Sequence, residues 1–166
     1  MSTERPHARR SGMGHGREAD EPGGESMTVN DKQIATAAAA IRRGELVAFP
    51  TETVYGVGGN ALDAGAVAKI FELQGRPRFD PLIVHLGDRE QLSAVAQTVP
   101  PQAQQLIERF WPGPLSLVLP KLPVVPDIVT AGLSSVAVRC PDHEVPRQLI
   151  AAAGVPVAAP SANRFG

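Results

Sequence analysis

Cysteine is nearly absent from this sequence. Cys140 stands alone, which rules out an internal disulfide, and one thiol cannot hold a metal unaided. It reads as a small residue at a strand end. Aromatic residues make up only 4% of the chain, so the core is expected to be built from Ala, Val, Leu and Ile, a composition that suits a sheet with helices packed on it. Excess charge of either sign is also missing: the net charge is -1 and the pI near 6.4, which gives no whole-chain electrostatic case for binding nucleic acid. No apolar run approaches the roughly 20 residues of a membrane helix, and Arg, Glu, His and Gly occupy the N-terminus where a signal peptide would be apolar. A soluble, cytoplasmic protein without membrane contact is expected. Equally absent are a Walker-type glycine loop, a dinucleotide fingerprint, a His-Glu metal helix and a nucleophile elbow. Nucleophilic catalysis is therefore not indicated.

What is present falls into two parts. Residues 1–26 carry four Arg, four Glu and five Gly with almost nothing to bury, a composition that does not offset the entropy of ordering, and they read as a disordered tail. His7 and His15 lie within it without acidic or cysteine partners, so no metal ligands are assigned there. From Met27, an alternative start of translation, to Gly166 the chain has one domain's worth of apolar sequence, 43% over the whole chain.

Hydrophobic spacing over that part alternates between helix and strand. Ile34, Ala37, Ala38 and Ile41 recur at helical steps, predicting a helix over 31–43 with Gly44 as its stop. Leu46 to Phe49 reads as a buried strand that breaks at Pro50 into a polar, glycine-containing loop ending at Gly58-Gly59. A helix follows over 64–73, a loop over 75–81, a strand over 82–86, a short helix over 89–96 and a helix over 101–110 closed by a Trp-Pro-Gly-Pro corner. Strands over 115–119 and 136–139, a helix over 144–153 and a last strand over 155–159 complete the pattern, which predicts an α/β fold with a mixed, mostly open sheet. Trp111 and Tyr55 read as packing residues and Arg78 as solvated.

Five segments place polar or cationic groups at element ends: Pro50-Thr51-Glu52-Thr53-Val54-Tyr55-Gly56, Gly75-Arg76-Pro77-Arg78-Phe79-Asp80-Pro81, Trp111-Pro112-Gly113-Pro114-Leu115, Ser135-Val136-Ala137-Val138-Arg139 and Pro160-Ser161-Ala162-Asn163. Arg76, Arg78 and Arg139 offer planar forks suited to phosphate or carboxylate, while the hydroxyls and amides offer neutral hydrogen bonds. Such a set holds an anionic ligand and works by positioning and charge stabilisation.

In order and spelling these segments resemble the YrdC/TsaC family, from about Asp31 onward. The resemblance implies a YrdC-like twisted open mixed sheet with flanking helices. It implies an L-threonylcarbamoyladenylate synthase, a nucleotidyltransferase that condenses L-threonine, bicarbonate and ATP to threonylcarbamoyl-AMP and pyrophosphate. The product would feed N6-threonylcarbamoyladenosine modification of tRNA through a downstream threonylcarbamoyl transferase complex, with tRNA or double-stranded RNA as further partners. Position by position, it implies threonine contacts at Thr53, His85, Arg139 and Ala159, and ATP contacts at Arg76, Asp80, Ser135, Ser161 and Asn163. Arg76 takes the catalytic role, and Mg2+ is expected with ATP rather than in a protein cage. No residue is assigned as a metal ligand. Gln74-Gly75-Arg76 stands where the family usually has Lys-x-Arg, and Asp80 where Asn is common, so the region carries less positive charge. Relatives continue beyond the Pro-Ser-Ala-Asn string, so the domain is expected to be incomplete at its C-terminus, with the last strand left in need of partners. A noncatalytic YrdC-like RNA-binding or ribosome-associated module is the alternative function. A hydrogenase-maturation carbamoyltransferase domain is a third reading, but the cysteine-rich or acylphosphatase-like segments of those proteins are not seen in this sequence.

Overall fold

The computed structural model describes residues 30–50 and 55–160. Helix α1 spans Asp31–Arg42 and starts with a reciprocal cap. The Asn30 side chain accepts from the Gln33 amide at 2.9 Å, and the Gln33 side chain accepts from the Asn30 amide at 3.0 Å, so two donors without helical partners are satisfied together. Strands β1 (Val47–Pro50) and β2 (Tyr55–Asn60) come next, then α2 (Ala64–Gln74), which Asp63 caps and left-handed Gly75 ends. After β3 (Ile83–His85) and a 3-10 turn at Glu90–Ala94 comes α3 (Pro101–Phe110). The chain continues through β4 (Ser116–Pro120), α4 (Asp127–Thr130), β5 (Ser135–Arg139), α5 (Glu144–Ala153) and β6 (Val157–Ala158).

The six strands form one open sheet in the order β1-β2-β6-β3-β5-β4. Only β3 and β5 run parallel, and the other neighbours are antiparallel, so the mixed sheet expected from the pattern is found. Two expectations need correction. The glycine-containing stretch before Asn60 is not all loop, because residues 55–60 are a strand whose first four residues pair with β1 and whose last two pair with β6. The last strand, β6, has no open edge: Gly59 and Asn60 pair with it on one side, Val84 and His85 on the other.

Glycine in β2 answers to crowding. A Cβ on Gly58 would lie 2.6 Å from Val157 Cγ1 and 2.8 Å from Phe49 Cε1, so only a residue without a side chain lets β1, β2 and β6 pack at this point. The α4 helix was not foreseen either. It is a single turn of four residues, too short to show a period.

Both faces of the sheet are used, and unequally. On one face Val84, Val136, Val138, Leu119 and Ala158 join Val67, Ile70 and Phe71 of α2, Ile107 of α3 and Val129 of α4 in the main core. On the other, Phe49 and Val157 pack under Ile34, Ala38 and Ile41 of α1 and Leu149, Ile150 and Ala153 of α5. Arg42 of α1 donates to the Ala152 carbonyl at 2.7 Å, tying the two helices together. These helices cover β1, β2 and β6. Over β3, β5 and β4 the same face stays partly open: Ile83, His85, Ser135, Ala137, Arg139 and Ser116 are half-buried, and Val118 is 68% exposed. Alternation along each strand therefore sends one set of side chains into the core and the other onto an open floor.

Candidate ligand-binding face

Strand register arranges this floor in rows. Ser116, Arg139, His85 and Val157 lie side by side across β4, β5, β3 and β6. In the next row are Val118, Ala137 and Ile83, with Ala159 beside them through its amide, which donates to the Ile83 carbonyl at 3.1 Å. Ser135 opposes Pro120 at the far end. Between Ser135 and Arg139 the strand advances by about 13 Å at its usual rise.

Arg139 is the cation of the first row. Its Nε donates to Ser116 Oγ at 2.9 Å, and the Leu86 amide donates to its carbonyl at 2.8 Å. The ion pairs of the described residues are Arg43–Glu45, Arg76–Asp80 and Lys121–Asp127, so Arg139 faces no carboxylate among them. Beside it, burial holds the His85 imidazole down at about 4, and the Arg139 charge pushes the same way. His85 is therefore neutral at pH 7 and adds no second cation. Its Nδ1 is sealed from solvent without a hydrogen-bond partner among the described residues. The row thus presents a guanidinium held at Nε next to a neutral imidazole, a single cationic fork of the shape that suits a carboxylate.

At the other end of the floor, four chain segments converge. The loop 75–81 enters β3 there, β5 begins there at Ser135, β6 ends there at Ala158, just before Ala159, and the Pro50 and Tyr55 ends of β1 and β2 point the same way. In the loop, the Arg76 terminal amino group lies 2.9 Å from Asp80 Oδ2 and donates to the Pro81 carbonyl at 3.3 Å. Arg76 Nε is buried without a partner among the described residues. Asp80 is thus neutralised by Arg76 and not by Arg78, which is exposed. Gln74, the position read as lacking a phosphate-facing charge, is buried at the end of α2 with 4% exposure.

Of the residues singled out from sequence, His85, Arg139, Ala159, Ser135, Arg76 and Asp80 all border the open floor or the end where the loops meet. Thr53, Ser161 and Asn163 lie outside the described residues, as does the stretch 1–26. Ser116 was missed. Alternation within β4 puts it on the face of exposed Val118, but only the β4–β5 register sets it opposite Arg139. Trp111 is a buried corner whose Nε1 donates to the Leu115 carbonyl at 2.8 Å, as expected. Cys140 is buried, and that burial pushes its thiol up. Tyr55 is not packed away; it is 45% exposed and lines a largely apolar cleft of about 190 Å³ between α1, α5 and β1. Among the described residues no group of three or more His, Cys, Asp or Glu is placed to hold a metal, and no helix is long and apolar enough to cross a membrane.

The family model for Sua5, YciO and YrdC, described as telomere recombination, matches residues 39–166. The chain belongs to this family. Within the Sua5/YciO/YrdC family it is 55% identical over 138 residues to the threonylcarbamoyl-AMP synthase of Pyrococcus abyssi, covering 83% of this chain and 41% of that protein. It is 52% identical over 143 residues to the threonylcarbamoyl-AMP synthase of Bacillus subtilis, covering 86% and 41%. A crystal structure of P. abyssi Sua5 complexed with L-threonine superposes with a TM-score of 0.81 at 55% identity, over 84% of this chain and 41% of that one. The chain spans about two fifths of the length of these relatives. The resemblance to YrdC/TsaC and the YrdC-like mixed sheet are thereby both established.

Proposed function

We propose that this chain carries the substrate-binding floor of a threonylcarbamoyl-AMP synthase. The observation that carries the reading is Arg139: a half-buried guanidinium, held at Nε, facing no protein carboxylate among the described residues and flanked by a neutral histidine. Such a group suits the carboxylate of an amino acid. The P. abyssi relative, whose structure holds L-threonine, supports threonine as that amino acid.

The chemistry then runs along the floor. The threonine amine and bicarbonate combine to an N-carboxylate with loss of water, and a carbamate oxygen attacks the α-phosphorus of ATP, forming the P–O bond of threonylcarbamoyl-AMP as pyrophosphate leaves. His85, Arg139, Thr53 and the Ala159 backbone would hold threonine, and Arg76, Ser135, Ser161 and Asn163 would hold ATP, with Asp80 at its margin. Arg76 would stabilise charge on the phosphates during displacement. Magnesium would enter as MgATP, liganded by phosphate oxygens, since the one carboxylate of the loop is already paired with Arg76. Threonylcarbamoyl-AMP is consumed by a transferase complex acting on tRNA.

Pyrophosphate release decides the matter. The reading requires release that depends on L-threonine, bicarbonate and ATP together. Release that persists without threonine or bicarbonate would contradict the reaction assigned, and no release with all three would favour a noncatalytic RNA-binding module.

A further inference from the structure

We infer that Ser116 is a positioning residue for Arg139, fixing the guanidinium so that its two terminal nitrogens meet the amino acid's carboxylate end-on. The inference rests on the reading of Arg139 as the carboxylate receptor.

Arginine can grip a carboxylate in two ways, through Nε with one terminal nitrogen or through both terminal nitrogens. Here the first is closed. Ser116 opposes Arg139 in the β4–β5 ladder, and its hydroxyl accepts the Nε proton at 2.9 Å. The terminal nitrogens have no partner among the described residues and are the donors that remain. A long side chain anchored near its tip loses less freedom when ligand binds, and its plane is fixed in advance. Both strands holding the pair are themselves fixed: β4 and β5 pair over five residues, and the Leu86 amide grips the Arg139 carbonyl. His85 lies on the opposite side of Arg139 in the same row, so the guanidinium sits between a hydroxyl that aims it and an uncharged ring.

Two substitutions separate aiming from filling space. Ser116→Val removes the acceptor and adds bulk, while Ser116→Thr adds similar bulk and keeps the acceptor; Ser116→Ala removes the acceptor alone. Dissociation constants for L-threonine, L-threoninol and ATP would be measured by calorimetry for each variant, with thermal midpoints to establish folding. Ser116→Ala and Ser116→Val are expected to bind L-threonine about tenfold more weakly, the scale of one hydrogen bond to a charged group, with ATP unchanged. Threonine binding to Ser116→Thr should stay within about twofold of wild type. L-threoninol, which has no carboxylate, should show no loss in any variant. Unchanged threonine binding in Ser116→Ala, or an equal loss for threonine and threoninol, overturns the inference. Arg139→Ala serves as the reference: if it too leaves threonine binding intact, the reading of Arg139 fails, whereas a large loss there beside no loss in Ser116→Ala removes only the role of Ser116.

Discussion

Asp80 Oδ2 sits 2.9 Å from a terminal nitrogen of Arg76, four residues earlier on the same loop, and both side chains are largely shielded from water. If Arg76 serves phosphate as proposed, Asp80 competes for the same cation, and an incoming triphosphate would share or displace it.

Asp80→Asn should therefore tighten ATP binding. Partial shielding makes the pair worth more than a fully exposed one, so a gain of about two- to tenfold in affinity is expected. Calorimetric titration of ATP into both proteins checks it. Weaker binding in the variant would show that Asp80 orders the loop more than it blocks Arg76.

His85 gives the fold a pH signature. Its value falls from 6.5 to about 4 on folding, so the unfolded chain takes up the proton first as pH drops. Stability from this group is intact above 6.5, declines between 6.5 and about 4, and levels off below, a loss on the order of 3 kcal/mol at most. Urea midpoints of wild type and His85→Gln, followed from pH 7 to 4, should converge or cross as pH falls. A constant gap between them would show that His85 titrates normally.

Gly58 tests the packing of the β1–β2–β6 corner. A side chain there meets Val157 and Phe49 at distances no real contact tolerates, so Gly58→Val should cost about 1–3 kcal/mol through overpacking. The urea midpoint reads this directly. An unaltered midpoint would mean that the corner has room that the backbone positions do not suggest.

That same glycine explains where sequence reasoning stopped. Helices α1, α2, α3 and α5 were legible because each carries an apolar stripe and each ends at a glycine or at the Trp-Pro corner. Strand β2 was not, because Tyr-Gly-Val-Gly-Gly-Asn has the composition of a turn, and its glycines answer to neighbours outside the segment: Gly58 to Phe49 and to Val157 of β6, nearly a hundred residues later, and Gly59 to Leu46. The insertion of β6 between β2 and β3 is likewise non-local, and it is why no edge of the last strand is left open. For the site, Arg76 and Arg139 could be named from sequence because cations at element ends stand out. Ser116 could not, since a serine in a strand acquires meaning only when register sets it opposite Arg139. Which half of the sheet face α1 and α5 leave uncovered is also a property of packing and not of any segment.

The central claim is that two cations on one floor serve different anions, Arg139 a carboxylate and Arg76 phosphates. Crossed calorimetric titrations of L-threonine and ATP into Arg139→Ala and Arg76→Ala test it most directly. The account predicts that Arg139→Ala loses threonine affinity by at least tenfold more than ATP affinity, and that Arg76→Ala shows the reverse, since each variant removes a charge-assisted contact to one ligand only. Equal losses of both ligands in both variants would contradict it.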